Sequence, residues 1–168
     1  MTSSLYPYIQ ESINLSDKNK DNYTLTIQHS LDGLSFVIFD NAEQKFIALK
    51  HYQYSTKDII LQDIIRELQE KEDWKLEDFK NVNILIDNNL NTLIPKDFFQ
   101  EEAKEQYLSL LNIDNNSIVM TDDIQECEAV NVFSCKDKLD FLNHNVKTYH
   151  CSTILIKKLI KDFSDRNA

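Results

Sequence analysis

The sequence predicts an α/β fold: a mixed sheet that opens as an antiparallel three-strand meander, continues through strand–helix units, and is flanked by helices. Two observations carry this. Three short apolar, β-rich runs at 23–29, 34–39 and 46–54 are separated by Asp32-Gly33 and Asp40-Asn41, both hairpin-type turn signals. After them, runs of strand composition alternate with runs of helical period.

The elements follow in order. Residues 1–21 are polar with scattered Tyr6, Tyr8 and Ile9 and read as a lightly anchored arm; 22–168 read as one lobe. Past the meander, Thr56 offers an N-cap to a helix over 57–71, whose Ile60, Ile64 and Leu68, with Leu61 and Ile65, form a buried stripe. A shorter helical piece around 73–80 presents Trp74, Leu76 and Phe79. Strands are expected at 82–86 and 91–94, the second stopped by Pro95. A helix is expected over 97–111, its first turns holding Asp97, Glu101 and Glu102 as the helix dipole favours. Strands at 117–121, 129–134 and 146–151, a short helix at 136–143 and a final helix over 153–164 complete the chain. Ser152 reads as the N-cap of that last helix, with Leu155, Ile156, Leu159, Ile160 and Phe163 on its buried side and Lys157, Lys158 and Lys161 opposite.

Composition narrows the function. The net charge is −10, from 18 basic and 28 acidic side chains spread evenly along the chain, with no basic stripe. Nucleic-acid binding draws on phosphate neutralisation and anionic membranes attract basic segments, so neither partner is expected. There is a single glycine, Gly33, too few for a Walker loop or a dinucleotide fingerprint. Three cysteines without a C-x-x-C pair, no signal-peptide pattern and no apolar run of about 20 residues point to the cytoplasm.

Three hairpin-linked strands, a helix, and then strand–helix alternation is the order of a ribonuclease-H-like lobe, two of which make an actin-like ATPase. The sequence resembles an uncharacterised bacterial family assigned that actin-like fold. The likeness lies in LTIQHSLDGLSFVIFD at 25–40, NNLNTLIPKDFFQEEAKEQYLSLL at 88–111, EAVNVFSCKDKLDFL at 128–142 and KTYHCSTILIKKL at 147–159. Members of that family look longer, with a second lobe, so the resemblance implies that this chain is a first lobe.

The same resemblance locates a remnant phosphate hairpin. Actin-like ATPases place Asp at the end of the first strand, then Gly and a hydroxyl residue. On 25–38 these fall on Gln28, Ser30 and Leu31; a shifted register uses Asp32, Gly33 and Ser35. A neutral amide cannot balance a cation and leucine offers no donor, so nucleotide is disfavoured and Asp32-Gly33 reads as a structural turn. No cofactor, metal or catalytic residue is assigned. A ribonuclease-type metal pair would need several carboxylates; Asp87 and Glu67 are candidates, but the first strand reads LTIQH and supplies none.

The remaining pairings read as structure. His29 and His51 fall on neighbouring meander strands, and two imidazoles alone make a weak metal site. His150-Cys151 is adjacent in sequence, so the two side chains diverge, and the cysteines read as buried structural residues. Asp114, Asp122 and Asp123 lack calcium-loop spacing and read as solvated turn residues. His144 reads as an exposed helix end, and the sequons at Asn14, Asn22 and Asn115 mean little in a cytoplasmic protein.

Two functions are therefore expected, in order: a non-catalytic interaction or scaffold protein on a degenerate actin-like lobe, with a protein partner or self-association, or a nucleotide-binding ATPase or kinase-like protein completed by a second lobe or by oligomerisation. The resemblance makes the apolar final helix the leading surface for a partner, because in the two-lobe fold it lies next to the inter-lobe junction.

Overall fold

The computed structural model describes residues 6–10, 22–31, 33–53, 61–111, 117–135 and 145–166. The chain forms two compact units, residues 1–85 with 139–148 and residues 86–138 with 149–168.

The first unit is built on a six-stranded sheet. β1 (Tyr6–Gln10), β2 (Tyr23–His29), β3 (Gly33–Asp40), β4 (Lys45–Gln53), β5 (Asn81–Ile86) and β9 (Val146–His150) lie in the order β1-β4-β3-β2-β5-β9. The expected meander is present, with β2–β3 and β3–β4 both antiparallel. Residues 6–10, read from sequence as part of an arm, pair antiparallel with β4 at the sheet edge.

Alternation fixes which face is buried. Tyr23, Leu25 and Ile27 on β2 and Leu34, Phe36 and Ile38 on β3 are buried, with half-buried residues between them. Helix α1 (Leu61–Glu72) buries Leu61, Ile64, Ile65 and Leu68 of the stripe expected from sequence; Thr56, Ile60 and the expected start at 57 lie outside the described residues. Trp74 stands edge-on to Phe36 at 5.8 Å and to Phe79 at 5.3 Å, closing the core with Val82 and Ile84. Each such aliphatic or aromatic side chain contributes ~1.5–3 kcal/mol on burial. At the Asp40-Asn41 turn, the buried Asp40 carboxylate accepts from the Ala42 and Glu43 amides at 2.9 and 3.0 Å, the local bond that makes aspartate a turn former.

The second unit carries a three-stranded antiparallel sheet, β6 (Asn91–Pro95), β8 (Ala129–Cys135) and β7 (Ile118–Ile124), in that order, with the final helix α3 (Cys151–Arg166) packed on β7 and on the turn at 125–127. Its apolar cluster is small: Leu108, Val130 and Val132, with Ile94, Phe99, Tyr107, Leu111 and Val119 against them.

Several local expectations are corrected. The helix expected over 97–111 is instead two 3₁₀ turns, Lys96–Phe98 and Glu101–Ala103, and one α-turn, α2 (Lys104–Tyr107). Phe99 and Gln100 between the turns are extended. The Tyr107 hydroxyl explains the break: it accepts from the Gln100 amide and donates to the Phe98 carbonyl, both at 2.9 Å, taking groups a continuous helix would use. Ser152 is not the N-cap of the last helix, which already begins at Cys151. That helix buries only Thr153; Ile156 and Ile160 are half-buried, while Leu155, Leu159 and Phe163 face outward and are exposed. The helix expected at 136–143 and His144 lie outside the described residues. No helix among the described residues is long and apolar enough to cross a membrane.

Candidate functional site

The β2–β3 hairpin is where an actin-like lobe would hold phosphate, and its geometry is closed. Gln28 and Ser35 are register partners on the sheet face opposite the buried one. The Ser30 amide and hydroxyl both donate to the Gly33 carbonyl, at 2.9 and 3.0 Å, and so tie the turn to itself. Leu31 is exposed, and Asp32 lies outside the described residues. Gly33 is not a positive-φ turn glycine, as a D-G turn would require. It belongs to β3, and space is what demands it. A Cβ there would lie 2.6 Å from the Tyr52 carbonyl oxygen and 2.7 Å from His51 Cε1. His51 is held in that position by a 2.8 Å hydrogen bond between its Nδ1 and the Ser35 hydroxyl. The backbone that lacks a side chain is thus covered by the neighbouring strand.

The expected neighbourhood of His29 and His51 does not form. β3 lies between β2 and β4, which sets their strands about 10 Å apart. Glu67 sits on α1 and Asp87 is exposed after β5. Among the described residues no group of three or more His, Cys, Asp or Glu side chains is arranged to hold a metal ion.

A different polar cluster, at the start of α3, was not legible as a unit in the sequence. The His150 amide donates to the Asp122 carboxylate at 2.8 Å. Its Nε2 lies 3.0 Å from the Asn88 carbonyl and its Nδ1 2.7 Å from the Ser152 hydroxyl, and the Ser152 amide donates to Nδ1 at 3.2 Å. A carbonyl can only accept and an amide N–H can only donate. The ring is therefore neutral, protonated on Nε2. Burial holds the imidazole below its ordinary pKa of 6.5 and lifts the Asp122 carboxyl above its ordinary 3.8. Asn131 donates to the Ser152 and Thr153 hydroxyls at 3.0 and 2.9 Å; the single Ser152 hydroxyl proton goes to Nδ1, and the same oxygen lies 3.2 Å from Asn91 Oδ1.

Asp122, expected in a solvated turn, is thus a buried strand residue that caps the entry to α3. The signal in sequence was weak, because its partner stands 28 residues away. The His150-Cys151 pair also resolves: the imidazole is buried in the cluster, and burial, reinforced by the Asp87 charge, pushes the Cys151 thiol up to about 11, far from a reactive thiolate. Of the three cysteines, Cys135 is buried as expected, Cys151 is half-buried and Cys127 is exposed on the turn before β8. In the first unit, Lys50 and the Tyr52 hydroxyl both donate to Glu72 at the end of α1. Burial, with the Glu72 hydrogen bond and charge, raises the Tyr52 phenol well above its ordinary range.

The chain matches the family described as "Protein of unknown function (DUF3822)" over residues 12–167. Among solved structures it is similar to a Bacteroides thetaiotaomicron protein of actin-like ATPase fold and unknown function, with a TM-score of 0.72 and 26% identity. That match covers 89% of this chain and 59% of the other, so the chain spans under two thirds of its neighbour's length. No curated protein matches. The chain belongs to the DUF3822 family, and its fold is the actin-like, ribonuclease-H-like one that the element order implied.

Proposed function

As a DUF3822 chain on an actin-like fold, we propose, this protein is a non-catalytic interaction module: it works by binding protein and does not turn over nucleotide. The observation that carries the reading is His51 lying over Gly33. A phosphate hairpin needs bare backbone facing the ligand and a carboxylate to position a cation. Here the chain's single glycine faces the His51 ring and the Tyr52 carbonyl, and the residue aligned with the carboxylate is Gln28. The Ser35 hydroxyl, the remaining donor of the shifted register, is engaged by His51 Nδ1. Among the described residues, the hairpin's glycine and serine groups are engaged within the sheet.

Titration calorimetry with ATP and Mg²⁺ at about millimolar ligand, where even a weak site of about −4 kcal/mol is half-filled, tests this. The expected result is no saturable heat. A saturable isotherm would overturn the reading and favour a nucleotide-binding ATPase or kinase-like protein.

A further inference from the structure

The inward face of α3 changes character along its length. Thr153, Lys157, Ile160 and Ser164 keep the three-and-four spacing of one helical face. Thr153 is buried, Lys157 and Ile160 are half-buried and Ser164 is exposed, so the face draws away from its unit toward the C-terminus. A groove of about 600 Å³ opens there between the helix and the turn at 125–127. Glu126 lines it from the turn, and Lys157, Lys158, Ile160, Lys161 and Ser164 line it from the helix.

The groove is basic on an acidic protein. It holds three positive charges and one negative, whereas the chain carries −10. The helix's two acids, Asp162 and Asp165, do not line it. Lys45, Lys50, Lys96 and Lys104 each hold a carboxylate of the chain. Lys157, Lys158 and Lys161 hold none among the described residues. The charge of Lys157 reaches the buried Asp122 carboxyl, but that carboxyl's hydrogen bonds come from His150 and Thr153. Ammonium groups sharing one groove repel each other, and an anion among them relieves the repulsion.

The side chains select the kind of anion. One exposed ion pair is worth little, so a single small anion is not held here. Several carboxylates on one segment add their pairs within a single binding event. Lysine presents a mobile point charge, which suits flexible carboxylates; bidentate phosphate recognition calls on arginine, and none of the groove's bases is arginine. Lys157 and Lys161 are four residues apart, about 6 Å along the helix axis. Alternate residues of an extended chain repeat at ~6.6 Å, a close match. Ile160 and the lysine methylenes supply apolar surface between the charges.

We propose that this groove binds an extended acidic peptide segment of a partner protein, with carboxylates on alternate residues meeting Lys157, Lys158 and Lys161 and an apolar side chain resting on Ile160. The proposal rests on the interaction-module reading above and gives that module its ligand.

Fluorescence anisotropy of the full 168-residue chain, with a short labelled peptide carrying glutamate at alternate positions around one leucine, is the test. Saturable binding is expected, at least about tenfold tighter than for the same peptide with glutamine in place of glutamate. It should weaken as salt rises from about 0.1 M to about 1 M, which cuts the screening length from ~10 Å to ~3 Å. Lys158→Glu with Lys161→Glu should raise Kd at least about tenfold, whereas Lys75→Glu with Lys80→Glu, the same charge change outside the groove, should move it less than about threefold. All four lysines are exposed, so the variants fold. Glu126→Gln removes the groove's single acid and should tighten binding, while Glu102→Gln, an exposed acid elsewhere, should not. Failure to saturate at about millimolar peptide overturns the proposal. Equal binding of the glutamine peptide, or equal loss from both lysine pairs, does so too. Tripolyphosphate or phosphatidylserine vesicles held by the same lysines more tightly than the peptide would give the groove to phosphate and overturn it as well. A saturable ATP isotherm beside intact groove-dependent peptide binding would sink only the non-catalytic reading, and silence toward both ligands would sink only this proposal.

Discussion

The two units bury different things. The first closes an apolar centre, in which Leu25, Ile27, Phe36, Ile38, Ile64, Leu68 and Trp74 meet. Among the described residues the second also buries apolar side chains, Leu108, Ile124, Val130, Val132 and Phe133, but buries Asp122, Asn131, Ser134, His150 and Thr153 with them. Apolar burial is non-directional and gains with area, whereas a buried polar network holds only while each member keeps its partner. Neither unit meets that condition fully among the described residues: Asn131 Oδ1 and the Ser134 hydroxyl in the second, and Trp74 Nε1 in the first, are buried without a hydrogen-bond partner. The first unit should therefore respond chiefly to lost volume and be indifferent to acid, its raised Tyr52 phenol costing stability only at alkaline pH, and the second should answer to acid through His150 and Asp122.

The largest effect expected is in the apolar centre. Phe36→Ala removes a ring that contacts Tyr52 and Trp74 and should cost ~3–5 kcal/mol, read as a lower denaturant midpoint. A loss near zero would mean the first unit is not held by this cluster. Next, Asp122→Ala leaves the His150 amide and the Thr153 hydroxyl without their acceptor and should cost ~1–3 kcal/mol. Hydrogen exchange should show the first turn of α3 opening while α1 keeps its protection; uniform loss of protection would erase the distinction between the units.

The smallest effect is a slope. His150 titrates below its unfolded value of 6.5 when folded. Between the two values the unfolded chain binds more protons, so stability falls as pH drops through that interval. Asp122 acts oppositely at lower pH: its folded pKa lies above 3.8, so in that window the folded chain holds more protons and stability rises as pH drops. Denaturation of α3 followed by circular dichroism should show the His150 decline in the native chain and lose it in His150→Gln. An unchanged slope in the variant would assign the titration elsewhere.

Local signals in the sequence reached the meander, the α1 stripe and most strands, though not β1 or the Asp122–Ile124 end of β7, because alternation, turn residues and helical period are written within a few residues of where they act. The same signals misled wherever a distant partner decided the outcome. Leu155, Leu159 and Phe163 have the spacing of a buried stripe, yet only the neighbouring flank of α3 finds β7. The segment at 97–111 has helical composition, and one tyrosine hydroxyl breaks it. Gly33 was legible as a necessary glycine for the wrong reason: a turn was inferred from its neighbour Asp32, whereas His51 and Tyr52 on the next strand impose the requirement. The actin-like order could be read from the succession of elements alone. The closure of its phosphate hairpin could not, because the sequence places His51 eighteen residues beyond Gly33 and gives no sign that the ring folds back over it.

Trp74 has a practical consequence for studying this molecule. It is the chain's single indole, buried edge-on between Phe36 and Phe79 in the first unit. Intrinsic emission excited at the red edge is thus a local gauge, blue-shifted while that aromatic nest is dry and blind to what happens around His150. A melting curve recorded by fluorescence would watch the first unit alone and one recorded by ellipticity would watch both, so a gap between their midpoints would show that the two units do not melt as one.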